Sequence, residues 1–90
     1  MTYTNHNVKD IASSGTVKAG HGVIVAVYVT KAGASGDKLV FHNGTDATGV
    51  VEFTVYGEGI QHVQDIFRRF EAGIYVAATG STAKYIVVYK

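Results

Sequence analysis

The chain is 90 residues long, carries a formal net charge of +1 and contains neither cysteine nor proline. That length holds one domain with a thin core. The charge leaves no broad basic face for nucleic acid, and the lack of cysteine removes both disulfides and thiolate metal sites as staples.

The apolar residues are lopsided: fourteen Val and six Ile stand against one Leu and one Met. β-Branched side chains fit a pleated sheet better than a helix, so the expected class is all-β. The polar stretch 1–7 reads as a mobile arm. It has no basic start and no apolar run, so it does not read as a signal peptide. A weak strand follows at 8–12, with Val8 and Asp10 on one side and Lys9 and Ile11 on the other. Ser13-Ser14-Gly15 is a turn, 16–19 a brief strand, and Gly20-His21-Gly22 a second turn.

Residues 23–30 are the strongest strand. They are apolar on both faces, which predicts a central position. Strict alternation puts Val23, Val25, Val27 and Val29 on one face and Ile24, Ala26, Tyr28 and Thr30 on the other. A run this short cannot span a bilayer. After a loop of small residues at 31–36, residues 37–42 alternate with Leu39 and Phe41 inward and Lys38, Val40 and His42 outward. Asn43-Gly44 signals a turn; the glycosylation sequon it forms with Thr45 reads more simply as that turn. Residues 50–56 alternate again, with Val51, Phe53 and Val55 inward. Ile60, Val63, Ile66, Phe67 and Phe70 are spaced like a helix face. Flanking glycines and the β surroundings instead favour a strand with a bulge.

The chain closes on 74–79 and 84–89, which read as a β-hairpin around Gly80-Ser81-Thr82-Ala83. Ile74, Val76 and Ala78 share one face of the first strand; Tyr85, Val87 and Tyr89 share one face of the second. The total is 7–8 strands at about ten-residue spacing, the signature of a small antiparallel β-sandwich or jelly-roll-like barrel over residues 1–90.

No stretch carries a catalytic signature. His6, His21, His42 and His62 form no short ligand pair, so no metal is expected. Ser13, Ser14, Ser35 and Ser81 sit in turns without a nucleophile motif, and Glu52, Glu58, Asp65 and Glu71 are scattered rather than paired. Gly20-His21-Gly22 and Gly57-Glu58-Gly59 are too short to cradle phosphate. No cofactor and no enzymatic role are expected. Arg68-Arg69 reads as an edge-strand guard, or as an ion-pairing site for an acidic partner. Tyrosines suit interfaces, because a rigid apolar ring carries a polar handle. The thin, unstapled core predicts self-association. Candidate contact residues are Ile24, Ala26, Tyr28, Arg68, Arg69, Tyr75 and Tyr89, with Tyr28→Asp expected to shift the protein toward monomer.

Several stretches together carry a family resemblance. Gly15-Thr16-Val17 closing at Gly20, Lys38-Leu39-Val40-Phe41-His42-Asn43-Gly44-Thr45, Phe70 followed by Gly73-Ile74-Tyr75-Val76, and the terminal Ile86-Val87-Val88-Tyr89-Lys90 resemble small structural proteins of tailed bacteriophages. The resemblance covers 15–90. It implies a virion component of the capsid decoration (cement) kind, made in the cytoplasm of a bacterial host and sitting on the capsid surface. It further implies a homotrimer whose partner is the major capsid protein, with no nucleic acid and no membrane as partners. A neck, tail or fibre-anchoring component is the nearest alternative. A carbohydrate- or peptide-binding sandwich, using Tyr28, Tyr56 and His42, is the alternative from another class.

Overall fold

The computed structural model describes residues 6–60, 62–63, 66–80 and 82–90. The strands are β1 (Asn7–Ile11), β2 (Gly15–Ala19), β3 (Gly22–Lys31), β4 (Lys38–Asn43), β5 (Val50–Tyr56), β6 (His62–Val63), β7 (Arg68–Phe70), β8 (Gly73–Thr79) and β9 (Lys84–Tyr89). No helix occurs among the described residues, so the helix-like spacing at 60–70 does not produce one there. Residues 1–5 of the expected arm lie outside the described residues, and Asn7 already belongs to β1.

Two antiparallel sheets form a sandwich. In sheet A the order is β1-β9-β3-β6, with β7 also pairing β3; in sheet B it is β2-β8-β4-β5. Taking β6 and β7 as one interrupted strand, the chain is a single long hairpin. Its tip is β4·β5, and β3·β6/β7, β2·β8 and β1·β9 follow outward. Rolling that hairpin adds β3·β9 and β4·β8. This is the pairing of a jelly roll, an all-β architecture of the expected class.

Three sequence expectations change here. First, 74–79 and 84–89 do not pair with each other. β8 lies between β2 and β4, β9 between β1 and β3, and the loop between them crosses from one sheet to the other. Sheets pack about 10 Å apart, so a four-residue loop can cross between them as readily as it can close a hairpin. Each strand is central in its sheet, which explains why both are apolar on two faces.

Second, the strict alternation of β3 fails. Its register against β9 shifts between Ile24 and Ala26, and one extra residue at a bulge reverses the facing of everything beyond it. Ile24, Val27 and Val29 therefore share the inner core. Val25 and Ala26 join Val88 and half-buried Tyr28 in a second cluster on the outer side of sheet A. That outer cluster is itself covered within the chain: Val25 and Ala26 are 0% exposed. β3 thus presents no open apolar face, contrary to the premise that placed a subunit contact there.

Third, Val51 faces outward. The β4·β5 register shifts between Phe41 and His42, setting Val51 opposite His42, and Val51 is exposed.

The inner core is built around Phe41, Phe70, Ile24, Leu39 and Ile74, all fully buried. Phe53 stacks on Phe41 at 4.5 Å and meets Phe70 edge-on at 6.2 Å. Leu39, Phe41, Val55, Ile74, Val76, Tyr85 and Val87 point inward as their alternation indicates.

A polar knot closes one end of the sandwich. Buried Asp37 accepts a hydrogen bond from the Ala83 N–H at 3.1 Å through Oδ2. Its carbonyl accepts from Gly57 N–H at 2.8 Å, and the Gly57 carbonyl accepts from Gly33 N–H at 2.7 Å. The loops after β3, β5 and β8 are therefore tied together around Asp37, whose carboxylate holds the Ala83 N–H and whose backbone carbonyl holds Gly57. Beside it the Tyr85 hydroxyl is buried without a hydrogen-bond partner. Burial, and secondarily the Asp37 charge, push that phenol above its ordinary pKa of 10.0. Removing an unsatisfied group of this kind costs nothing in hydrogen bonding. Tyr85→Phe is expected to be neutral or stabilising by up to about 1 kcal/mol in denaturant titration; a clear loss of stability would show that the hydroxyl is bonded.

Candidate functional site

No cavity opens among the described residues, and no group of three or more His, Asp or Glu there is placed to hold a metal. No helix is long and apolar enough to cross a membrane. The outer surface consists of the outsides of the two sheets and of two side walls, one where the edges of β5 and of β6–β7 run together and one at the edges of β1 and β2.

The outside of sheet B is set by its cross-strand rows. Thr16, Tyr75, His42 and Val51 form one row; Ala77, Val40 and Thr54 the next; Thr79, Lys38 and Tyr56 a third. Lys38 is the one charged residue in these rows. His42 is buried in the face, 5.9 Å edge-on from the Tyr75 ring. Its Nδ1 lies 2.9 Å from the Gly49 carbonyl. A carbonyl only accepts, so Nδ1 carries the proton. The histidine is thereby fixed as a structural part of the face.

The side wall of β5 and β6–β7 is clasped by an ion pair. Ile24 lies opposite Arg68 in the β3·β7 ladder, so Arg68 leans toward the gap between the sheets and meets Glu52 of β5. The contact is 2.6 Å from the guanidinium to Oε1, with a second bond from Nε at 3.1 Å. Asn43 Nδ2 donates to the other Glu52 oxygen at 3.4 Å, and its own side-chain oxygen accepts from Ala72 N–H at 2.9 Å. The Arg68 hydrogen bonds are the main cause that holds the Glu52 carboxyl below its ordinary 4.5. A depressed folded-state value means the pair stabilises above pH 4.5, and that this contribution is lost as the pH falls through the folded value. Half of the pair is solvated, so the effect is small, about 1 kcal/mol or less. Glu52→Gln is expected to lower stability at neutral pH by about that amount and to converge with wild type at low pH, so that this part of the acid limb disappears. An unaltered acid limb would show that the pair does not hold.

The candidate contact residues do not converge. Ile24 is sealed in the core, Ala26 is covered in the outer cluster of sheet A, and Tyr89 packs against the inner core. Ile24 and Ala26, expected on one face, are split by the bulge. Tyr28 lies outside sheet A, edge-on to His62 at 4.9 Å, whereas Tyr75 lies outside sheet B. Both arginines are exposed: Arg68 holds Glu52, and Arg69 Nε donates to His21 Nε2 at 3.0 Å and lies 3.8 Å from Glu71. The carbohydrate set separates in the same way, with His42 and Tyr56 outside sheet B and Tyr28 outside sheet A. The sequence reading passed over Val50, Val51, Ile60 and Phe67, all exposed. Val50 is outward by simple alternation, Val51 is turned outward by the β4·β5 register shift, and Ile60 and Phe67 lie outside the strands, where alternation carries no signal.

Compared with known proteins, the chain matches no protein-family model, no curated protein and no solved structure.

Proposed function

We propose that this chain is a non-enzymatic structural protein of a virion, a capsid decoration protein that self-associates and lies on the lattice of the major capsid protein. The observation that carries the reading is the outside of sheet B: a four-stranded face of Val40, Ala77, Thr54, Tyr75 and Val51 with a single charge among its rows. Such a face suits a broad protein contact, where charged residues are depleted and tyrosine enriched. The shape agrees, because a slab of 33 × 32 × 16 Å offers much contact area for its mass. The resemblance to small structural proteins of tailed bacteriophages supplies the virion and the three-fold multiplicity. Laid over a junction between coat subunits, the slab holds that junction closed, because opening it exposes the shared surface again. Repetition over the shell multiplies a modest individual contact.

Quantitative mass spectrometry of purified particles tests this. Many copies per particle, in a ratio set by the shell, are expected. Particles lacking the protein should rebind purified wild type and fail to rebind Val40→Asp. A few copies per particle would instead indicate a neck, tail or fibre-anchoring role, and absence from the particle would sink the reading.

A further inference from the structure

We infer that Asn43-Gly44 is a latent deamidation site: the fold withholds the reaction, and opening of this corner releases it and makes the loss of native structure permanent. Asn43 ends β4 and Gly44 begins the turn that follows. Glycine has no side chain to shield its backbone nitrogen, so in a flexible chain that nitrogen can reach the preceding carboxamide. The Gly44 nitrogen then attacks Asn43 Cγ and the Cγ–Nδ2 bond breaks. The displaced nitrogen takes up the proton that Gly44 gives up and leaves as ammonia. Water opens the resulting cyclic imide at one of its two C–N bonds. One cut leaves aspartate at position 43. The other leaves an isoaspartyl link, in which the main chain runs through the side-chain carbons and is one atom longer.

The structure holds each participant away from that path. Asn43 lies in a central strand, opposite Val50 of β5 and Ile74 of β8. Ring closure turns the backbone back on itself at Asn43, and a residue laddered on both sides lacks that freedom. The Gly44 nitrogen must lose its proton to attack, and in the fold that N–H is donated to the Gly73 carbonyl at 3.0 Å. The carboxamide is pinned at both ends. Its Oδ1 accepts from Ala72 N–H at 2.9 Å, and its Nδ2 donates to Glu52 at 3.4 Å. The Ala72 bond polarises the carboxamide toward attack, so it is the nucleophile that the fold withholds. A Cβ on Gly73 would lie 2.8 Å from the Gly44 carbonyl oxygen. The two segments therefore meet backbone to backbone, with little room for Gly44 to rotate.

Conversion reaches beyond residue 43. Aspartate there cannot donate to Glu52, and two carboxylates then face each other beside the Glu52–Arg68 pair. Like charges so close oppose one another. The isoaspartyl form is more disruptive. An extra backbone atom in β4 slips its register against β5 and β8 together, next to the row where His42 meets Val51 and Tyr75. That row belongs to the outer face of sheet B. Only this last consequence, loss of the proposed contact face in converted chains, rests on the virion reading.

Peptide mapping by mass spectrometry, with an isoaspartyl assay, tests this on the full wild-type chain, held folded in buffer or unfolded in urea at the same pH and temperature. Conversion at Asn43 is expected to be at least about tenfold slower in the folded chain, which asks for only about 1.4 kcal/mol of opening cost. This comparison does not depend on any variant's folding. Chains converted in urea should melt at a lower temperature than unconverted chains after refolding. Asn43→Asp carries the side chain of the aspartate product on an unaltered backbone. It should lower the folded-to-unfolded ratio by about tenfold, and by about threefold or less where Glu52→Gln removes the opposing charge. Equal rates in the two conditions overturn the inference, as does faster conversion in the folded chain, a converted chain as stable as the unconverted one, or a cost of Asn43→Asp indifferent to Glu52. Failure of unconverted wild type to bind particles would count against the virion reading alone.

Discussion

Phe41→Ala is expected to cost about 3–5 kcal/mol, the range for emptying an aromatic core position. Phe41 is fully buried on β4, and its ring is the surface on which Phe53 stacks. Removing it leaves a hole between two sheets whose strands cannot close over it without breaking their ladders. For a chain of this size total stability is about 5–13 kcal/mol at the usual value per residue. The loss would therefore lower the melting temperature by roughly 15 °C or more. Val51→Ala, at the next position of the same ladder, should stay within about 0.5 kcal/mol, as surface substitutions do. Simple alternation of β5 puts Val51 in the core beside Phe53; the register shift at Phe41/His42 puts it outside. The two variants, measured together by denaturant unfolding, decide between these registers. A loss below about 1.5 kcal/mol for Phe41→Ala, or a loss above that for Val51→Ala, would reject the inward–outward assignment.

Most strands were legible in the sequence because their alternation is local. Leu39 and Phe41, Ile74, Val76 and Ala78, and Tyr85 and Val87 each announce an inward face within a few residues. What stayed hidden depends on partners far along the chain. Nothing local distinguishes a loop that returns beside its own strand from one that crosses to the other sheet, so β8 and β9 looked like a hairpin. A bulge is equally silent: the extra residue in β3 between Ile24 and Ala26 is visible only against Tyr89 and Val88. That single residue moved Ile24 from a supposed contact face into the core. The surface reading failed for the same reason. Tyr28 and Tyr75 were grouped by residue type, and the roll of the hairpin placed them on opposite sides of the molecule. Phe67 read as one more apolar residue on a strand, because a positive φ leaves no mark on a phenylalanine.

Gly80→Ala is expected to destabilise by about 3 kcal/mol, far more than an alanine in a loop usually costs. Two effects combine. Gly80 holds φ at 83°, where a side chain costs about 1–2 kcal/mol. The added Cβ would also run into the Asp37 carboxylate. That carboxylate is buried and holds the Ala83 N–H at 3.1 Å. Gly33 blocks retreat on the other side, since the position of its missing Cβ also abuts Asp37. Displacing the carboxylate would leave a buried N–H without its acceptor, at about 1–3 kcal/mol. The two effects separate in a double-mutant cycle. Asp37→Ala alone should cost about 1–3 kcal/mol for the lost acceptor. In that background the clash has nothing to strike, so Gly80→Ala should cost only its backbone strain. The double variant should then be more stable than the sum of the singles by about 1–2 kcal/mol, within the range of coupling between touching residues. Additive costs would mean that Asp37 does not occupy the space beside Gly80, and that the knot joining the three loops is built on another group.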